Sequence, residues 1–268
     1  MEDYFCIKPT GGLCNRLRVI FSWNDYAKKQ QKKLIVFWSV TCECPGVFTS
    51  HFDNVPNMEF VEYTVAGKAI SSTADISKWG RLSSLDYIGH DQKDGYDRHN
   101  MQTVYGDLKC NGRLKKSIDA YKSQFKEFVG IHIRRTDFFP PAKLYMDDSD
   151  YMNFVNNYPE QNIFLATDNH VTQLKFLSRY TTRLKTNGII GEGRKTLRKT
   201  NLEHSIIDLF VLCLISRLLV PYPLIETVPD FTLPPVGISS DKTLLAKKIA
   251  KSFILRLQIF LIFTFTHP

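Results

Sequence analysis

A short apolar strand that ends in two arginines constrains this chain more than any other feature. Residues 129–137 read Val-Gly-Ile-His-Ile-Arg-Arg-Thr-Asp, and the Phe-Phe-Pro-Pro run at 138–141 must leave the strand as a loop. A buried strand with charged residues at its carboxyl end is typical of binding sites in open α/β sheets. We therefore expect Arg134 and Arg135 at such an edge, although a surface strand with solvated arginines is the alternative.

Strand geometry divides the side chains of this stretch between two faces. The alternation predicts that one face carries His132 and Arg134, and that the other carries Ile131, Ile133 and Arg135. A guanidinium group binds phosphate oxygens through two parallel hydrogen bonds, so a pair of arginines at a strand end suits a diphosphate. The strand, its histidine and its twin arginines together predict a site for such an anion.

Composition limits the classes of protein that fit. The chain has 268 residues, 43% of them hydrophobic, and a net charge of +8; these values describe a globular protein with one large or two modest domains. The positive charge favours anionic partners, namely nucleotides, nucleic acid or an anionic membrane surface. The acidic start of the chain lacks a secretory signal, so we expect a cytoplasmic location. The six cysteines lack the spacing of a zinc site, and we expect reduced, buried thiols.

The first half opens with a strand, a glycine turn and a helix. Residues 4–8 read as a strand, residues 9–12 (Pro-Thr-Gly-Gly) as a turn, and residues 15–29 as a helix before a second apolar strand at 34–38. Paired glycines allow close backbone approach, and the free N–H groups of a helix start can bind an anion. This βαβ opening predicts a parallel sheet.

The second half repeats the alternation of strand and helix. A helix at 114–128 leads into the arginine strand, and helices at 151–157, capped by Asp150, and at 171–180 flank a strand at 163–166. Asp168 follows that strand, where it suits a ligand or an arginine partner as well as the N-cap of the next helix. A buried helix at 205–216 carries Asp208, and a strand at 217–220 follows. We place one domain at 1–125 and the second at 126–240.

The tail at 241–268 has no clear place in this scheme. Residues 253–265 are almost wholly apolar and follow a basic run, but they are fewer than the ~20 residues of a membrane span. The tail fits either peripheral contact with an anionic membrane or a last core element.

Four motifs carry a family resemblance. They are Gly-Gly-Leu-Cys-Asn-Arg-Leu-Arg at 11–18, Ile-His-Ile-Arg-Arg-Thr-Asp at 131–137, Leu-Ala-Thr-Asp at 165–168 and Ile-Asp-Leu at 207–209. In this order they resemble the motifs of the fucosyltransferase superfamily, which contains α1,2-, α1,6- and protein O-fucosyltransferases. The resemblance runs from residue 4 to residue 220, and its central motif looks closest to the α1,6 and nodulation-type members.

The resemblance implies a GT-B architecture, an α/β fold of two Rossmann-like halves with mostly parallel sheets. It also implies an inverting glycosyltransferase that uses GDP-fucose as donor, a glycan as acceptor and no metal ion, with the acceptor on the side of the first half. Arg134 and Asp137 are the catalytic candidates. The general base is unassigned among Glu43, Asp137, Asp147 and Asp148, and Asp137 suits an internal partner of an arginine equally well. The residues implied to bind the nucleotide sugar are Gly11, Gly12, Asn15, Arg16, His132, Arg134, Arg135, Asp168 and Asp208.

The chain departs from the family near its end and leaves alternatives open. Residues 220–227 (Val-Pro-Tyr-Pro-Leu-Ile-Glu-Thr) lack the serines that the family places after the Asp208-type helix. The alternatives are another nucleotide sugar, an inactive family member, or a basic nucleic-acid-binding protein, although no recognised nucleic-acid module is present. The Asp148-Ser149-Asp150 run has the letters of a manganese motif, but it lies in a polar lead-in to a helix, so we expect no metal there.

Overall fold

The structure is a computed structural model that describes residues 4–74, 85–93, 105–124, 128–135, 146–190, 202–214 and 217–219. Contacts divide these residues into two compact units, of which the first ends at Lys116 and the second begins at Ser117. Asp137, residues 220–227 and the tail lie outside the described residues, and the domain limits given above stay predictions.

The first unit is built on a sheet with the strand order β4-β3-β2-β1-β5. Its strands are β1 (Tyr4–Pro9), β2 (Lys33–Val40), β3 (Met58–Thr64), β4 (Ala69–Ser72) and β5 (Tyr87–Gly89). Strands β1, β2, β3 and β5 run parallel, and β4 pairs antiparallel with β3. Helix α1 (Leu13–Lys29) joins β1 to β2 and packs on both. The predicted βαβ opening is therefore present.

Apolar side chains bury the centre of this sheet. The inward positions predicted for α1, namely Leu17, Ile20, Phe21 and Trp23, are all buried, as the helical spacing requires. The rings of Phe48 and Phe60 stack with centroids 4.1 Å apart. Trp38 is fully buried, and its indole N–H donates to the carbonyl of Gly46 at 2.9 Å, so its one polar atom is satisfied.

The second unit is built on a parallel sheet with the order β8-β7-β6-β9. Its elements are α2 (Gly112–Gln124), which begins before Ser117, then β6 (Phe128–Ile133), α3 (Asp148–Asn156), β7 (Asn162–Thr167), α4 (His170–Tyr180), β8 (Leu184–Thr186), α5 (Leu202–Leu214) and β9 (Arg217–Leu219). Parallel strands joined by helices are the pattern of doubly wound α/β folds.

Helices cover both faces of the second sheet. On one face, Ile131 and Ile133 of β6 lie in a buried cluster with Tyr151 of α3 and Phe176 of α4. On the other face, the ring of Tyr121 from α2 meets Phe164 of β7 edge to face, with centroids 5.6 Å apart. Each strand of such a sheet must be apolar on both sides, which explains the unbroken apolar runs in the sequence.

The bounds of all five helices differ from the sequence prediction by a few residues, and three of these differences have a clear cause. Helix α2 ends at Gln124, and Phe128 is the first residue of β6. The sequence prediction extended the helix to 128 because the apolar spacing of the helix continues into the strand. Helix α3 begins at Asp148, and its N-cap is Asp147 rather than Asp150, whose carboxylate instead completes a capping box. The N-cap of α4 is Asn169, whose side chain accepts from the N–H of Thr172 at 2.9 Å.

The state of the cysteines agrees largely with the prediction. All six lie outside any disulfide bond, and five are buried, whereas Cys42 is exposed in the loop after β2. Among the described residues, no helix is long and apolar enough to cross a membrane.

Candidate functional site

The order of strands in the second sheet marks one edge as the place for a ligand. The chain moves outward from β6 to β7 and β8, then returns to place β9 on the opposite side of β6. In open α/β sheets, ligands bind outside the carboxyl ends of the strands where the strand order reverses in this way. Arg134 and Arg135 directly follow β6, so the twin arginines lie at this reversal point.

Arg135 is engaged by protein groups. Its backbone N–H donates to Asp168 Oδ1 at 2.8 Å. Its guanidinium group donates to Asp148 Oδ1 at 3.2 Å and lies over the ring of Tyr151, 5.7 Å from the centroid. Asp148 also accepts from Lys175 Nζ at 2.9 Å, so one carboxylate at the start of α3 contacts two cations. Sequence reasoning missed this role of Asp148.

Strand alternation places Arg134 and His132 on the face of β6 opposite to Arg135. Burial and the positive charge of Arg134 lower the pKa of His132 from 6.5 to about 3. The imidazole is therefore neutral at physiological pH and supplies hydrogen bonds rather than a second positive charge. Ile131 and Ile133 lie in the core on the opposite face, and Arg135 contacts Tyr151 from that same core. The predicted alternation is confirmed for Ile131, Ile133 and Arg135, and the position of Arg134 on the His132 face follows from the same alternation.

Asp168 ties the ends of two neighbouring strands together. It follows β7, and its carboxylate accepts the backbone N–H of Arg135 after β6. Since Asn169 caps α4, the capping role that the sequence left open for Asp168 is excluded. The position next to the arginines is the one that the sequence predicts for a ligand contact or an arginine partner.

Asp208 lies near Tyr121, whose ring packs against Phe164 on the sheet face that also carries His132. Burial raises the pKa of Asp208 well above the usual value of 3.8, although a hydrogen bond with the Asn187 side chain opposes this shift. Burial, and to a lesser extent the nearby Asp208 carboxyl group, raises the pKa of Tyr121 on α2. Within the described part of the chain, the buried Oδ1 atom of Asp208 has no hydrogen-bond partner. A raised pKa favours the neutral carboxyl group, which can donate a hydrogen bond.

The first sheet has a reversal point of its own. The chain passes from β1 to β2 and β3, and β5 then pairs on the opposite side of β1. The Gly11-Gly12 turn directly follows β1, at this point. Gly11 has φ +75°, and an added Cβ would lie 2.9 Å from Asn15 Nδ2, so both the conformation and the space require glycine. Gly12 caps α1 without a side chain, which leaves the first N–H groups of the helix unused by a capping side chain.

Arg16 and Asn15 are buried beneath this turn. Arg16 donates to the carbonyl of Gly11 at 2.7 Å and to Thr41 Oγ1 at 3.0 Å, and its guanidinium group lies 4.9 Å from the ring centroid of Trp38. Asn15 Oδ1 accepts from Arg18 at 3.2 Å. These contacts fix the turn against the end of β2, and a role of Asn15 and Arg16 in ligand binding stays a prediction.

Asp148 and Asp150, whose sequence has the letters of a manganese motif, make ion pairs and a capping hydrogen bond within the protein. Asp148 pairs with Arg135 and Lys175, and the carboxylate of Asp150 accepts the N–H of Asp147 at 2.9 Å. In the described ranges, no group of three or more histidine, cysteine, aspartate and glutamate side chains lies close enough together to hold a metal ion.

One segment of the same edge was not recognised in the sequence. Strand β8 has three residues and pairs with β7, and so short a strand cannot be distinguished in the sequence from the basic stretch around it. The segment at 186–190 begins at the last residue of β8. The Gln173 side chain contacts this segment through three hydrogen bonds.

Comparisons with known proteins were made at the levels of sequence and structure. No protein-family model matches the chain, and no curated protein sequence matches it. Its two largely parallel sheets match solved structures of GT-B fucosyltransferases, which confirms the predicted fold class. The chain therefore has the fold of the fucosyltransferase superfamily.

The solved structures that match include two of the fucosyltransferase NodZ. The α-1,6-fucosyltransferase NodZ soaked with GDP-fucose matches with a TM-score of 0.54 and 15% identity, over 83% of this chain and 89% of its own. NodZ from Bradyrhizobium matches with a TM-score of 0.52 and 14% identity, over 81% of this chain and 88% of its own. POFUT1 in complex with GDP-fucose gives a TM-score of 0.43 at 10% identity, over 82% of this chain and 90% of its own.

Proposed function

We propose that this protein is an inverting glycosyltransferase that transfers fucose from GDP-fucose to a glycan acceptor without a metal ion. The observation that carries the proposal is the position of Arg134, at the reversal point of the second sheet and beside a neutral histidine. The fold shared with NodZ supports the choice of a nucleotide sugar as donor.

The reaction requires a cation next to the leaving group. The acceptor hydroxyl oxygen attacks the anomeric carbon of fucose, the bond from this carbon to the β-phosphate oxygen breaks, and GDP leaves with the electron pair. The acceptor proton passes to a base, for which Asp137 is our candidate. Negative charge develops on the diphosphate, and the fixed guanidinium group of Arg134 stabilises it.

The two arginines have different roles in this proposal. Asp148 and the Tyr151 ring hold Arg135 on the core side of β6, so we assign it to fixing the end of β6 next to Asp168. Arg134 lies on the other face, with His132 and Asp208, and is the arginine that contacts the diphosphate. A neutral His132 adds hydrogen bonds to the site without repelling the Arg134 guanidinium.

The remaining predicted contacts are assigned by position. Asp168 and Asp208 bind the nucleoside, because they lie beside the arginines and on the Arg134 face, respectively. The Gly11-Gly12 turn, fixed by Asn15 and Arg16, lies at the reversal point of the first sheet and serves the acceptor side.

Transfer assays with GDP-fucose test this proposal. The wild type should release GDP from GDP-fucose in the presence of a suitable glycan, or slowly by hydrolysis. Arg134→Ala should lower this rate by about 10²–10³-fold, since removal of one group that stabilises developing charge has that effect. Arg179→Ala removes the same charge from the exposed far end of α4 and should leave the rate unchanged.

Two results would favour the alternatives. GDP binding without any release of fucose would favour an inactive family member, for which the absence of serines at 220–227 is the motivation. Binding of any oligonucleotide with a steep dependence on salt, and no binding of GDP, would favour a nucleic-acid-binding protein.

A further inference from the structure

The segment at 186–190 is fixed by a buried glutamine. Gln173 of α4 is 1% exposed. Its Nε2 donates to Thr186 Oγ1 and to the carbonyl of Gly188, both at 2.9 Å, and its Oε1 accepts the N–H of Ile190 at 2.7 Å. One side chain thus holds three points within five residues, and both ends of its amide are satisfied, as burial requires.

Other side chains hold the same segment. Asn187 Nδ2 donates to the carbonyl of His204 at 3.0 Å, and His170 Nδ1 donates to the carbonyl of Ile190. Gly188 has φ +81°, and an added Cβ would lie 2.8 Å from the His204 ring, so the backbone is closely packed there. The conformation of the segment is therefore set before any ligand arrives.

Strand register places this segment at the ligand edge. Thr186 is paired with Leu165, so the residues after Thr186 lie level with the end of β7, where Asp168 follows. In the middle of the fixed segment, the Ile189 side chain is 64% exposed. A large apolar side chain held rigidly in solvent, beside an aspartate assigned to the nucleoside, is suited to contact an aromatic base.

We propose that Ile189 forms the apolar surface against which the guanine base of the donor packs, and that Gln173 is the positioning residue that holds Ile189 in place. This inference rests on the proposed function, because it takes GDP-fucose as the donor. Because the segment that carries Ile189 is already ordered, it loses little conformational entropy when the base binds, and its contacts contribute more fully to affinity.

The first test removes the apolar surface. Ile189→Ser should weaken GDP binding in calorimetry by about five- to tenfold, the effect of losing part of one buried aliphatic side chain. Its thermal stability should not change, because Ile189 is exposed in the free protein. The control is Val65→Ser, a change at a 76% exposed position in the first unit, which should leave affinity unchanged. Equal GDP affinities for wild type and Ile189→Ser would overturn the proposal.

The second test separates positioning from stability. Gln173→Met keeps the size of the side chain and removes all three hydrogen bonds to the segment. Tyr180→Phe, at the other end of α4, removes a hydroxyl that bonds the carbonyl of Met152 and the Asn156 side chain. Both variants should lose stability, but only Gln173→Met should raise the KM for the donor, with kcat nearly unchanged, because the base lies away from the reacting bond. A KM equal to that of Tyr180→Phe would leave Gln173 a purely structural role.

The outcomes distinguish this inference from the proposed function. If wild type binds no GDP, both fail. If wild type binds GDP and Arg134→Ala binds it much more weakly, while Ile189→Ser and Gln173→Met bind as wild type does, only the role of the 186–190 segment fails.

Discussion

At the scale of single residues, the twin arginines show how one strand can separate two roles. Neighbouring residues of a strand point to opposite faces, so Arg135 contacts Asp148 and the Tyr151 ring. Arg134 instead lies close enough to His132 to lower the pKa of the imidazole. Arg135 contributes mainly geometry through its contacts with Asp148 and the Tyr151 ring, and Arg134 is the arginine that we propose to bind the anion. The sequence predicts the faces from alternation alone, but the partner of Arg135 is set by tertiary contact between β6 and α3.

We expect Asp148→Asn to destabilise the protein by about 1–3 kcal/mol, because the partly buried Arg135 guanidinium loses its carboxylate. Urea unfolding measures this change. The matched control is Asp107→Asn, which breaks the exposed pair with Lys28 and should cost less than about 1 kcal/mol. Equal losses in the two variants would show that Asp148 is only a surface partner.

At the scale of elements, the first turn of α1 holds the preceding glycine turn in place. Gly11 adopts a left-handed conformation, Asn15 fills the space beside it, and Arg16 bonds the Gly11 carbonyl from below. The turn is therefore specified by glycine on one side and by buried polar side chains on the other. This arrangement keeps the start of α1 at the carboxyl end of β1.

Gly11→Ala should cost about 2–3 kcal/mol of stability, since it combines a positive φ with a Cβ contact of 2.9 Å to a buried side chain. Gly67→Ala is the control: its φ is +79°, but no atom lies within 4 Å of the added Cβ. It should cost about 1 kcal/mol, from the backbone alone. Similar unfolding midpoints for the two variants would argue against a tightly packed turn.

Element prediction succeeded where apolar runs are long and failed where tertiary pairing decides. The apolar runs of β2 and β7 and the helical spacing of α1 predicted those elements directly. Strand β8 is only three residues long and exists because β7 lies beside it. The caps of α3 and α4 were each misplaced or left open, because aspartate or asparagine occupies several adjacent positions and local propensity cannot choose among them.

At the scale of the whole molecule, the same topology recurs in the two units. In each sheet the strand order reverses at the first strand, β1 or β6, and the residues singled out in the sequence follow that strand. The sequence predicts which residues are candidates for a site. It does not predict the reversal points, because these depend on the order of strands in the sheet, which no local sequence pattern determines. This topology explains why the motifs that begin at residues 11, 131 and 165 reach the carboxyl end of a strand, whereas the motif at 207–209 lies within α5.

The pH dependence of stability should show two opposed contributions in the second unit. His132 has a folded pKa of about 3 against 6.5 when unfolded, so the folded state binds fewer protons and its stability falls as pH drops through 6.5. Asp208 has a raised folded pKa, so its contribution is full below about pH 4 and is lost as pH rises.

Variants at these two positions separate the contributions in urea unfolding between pH 4 and pH 8. Relative to wild type, His132→Gln should become more stable as pH falls from 7 to 5, because it has no imidazole to protonate. Asp208→Asn should become more stable relative to wild type as pH rises. Constant differences across this range would contradict the burial of both groups.

The most direct test of the central claim is calorimetric titration of GDP into wild type and Arg134→Ala. We predict that wild type binds one GDP and that Arg134→Ala binds it about 10- to 100-fold more weakly, the loss expected for charged hydrogen bonds to phosphate. Arg179→Ala should bind as wild type does. An Arg134→Ala variant that is folded and binds GDP with unchanged affinity, or a wild type that binds no GDP, would contradict the account.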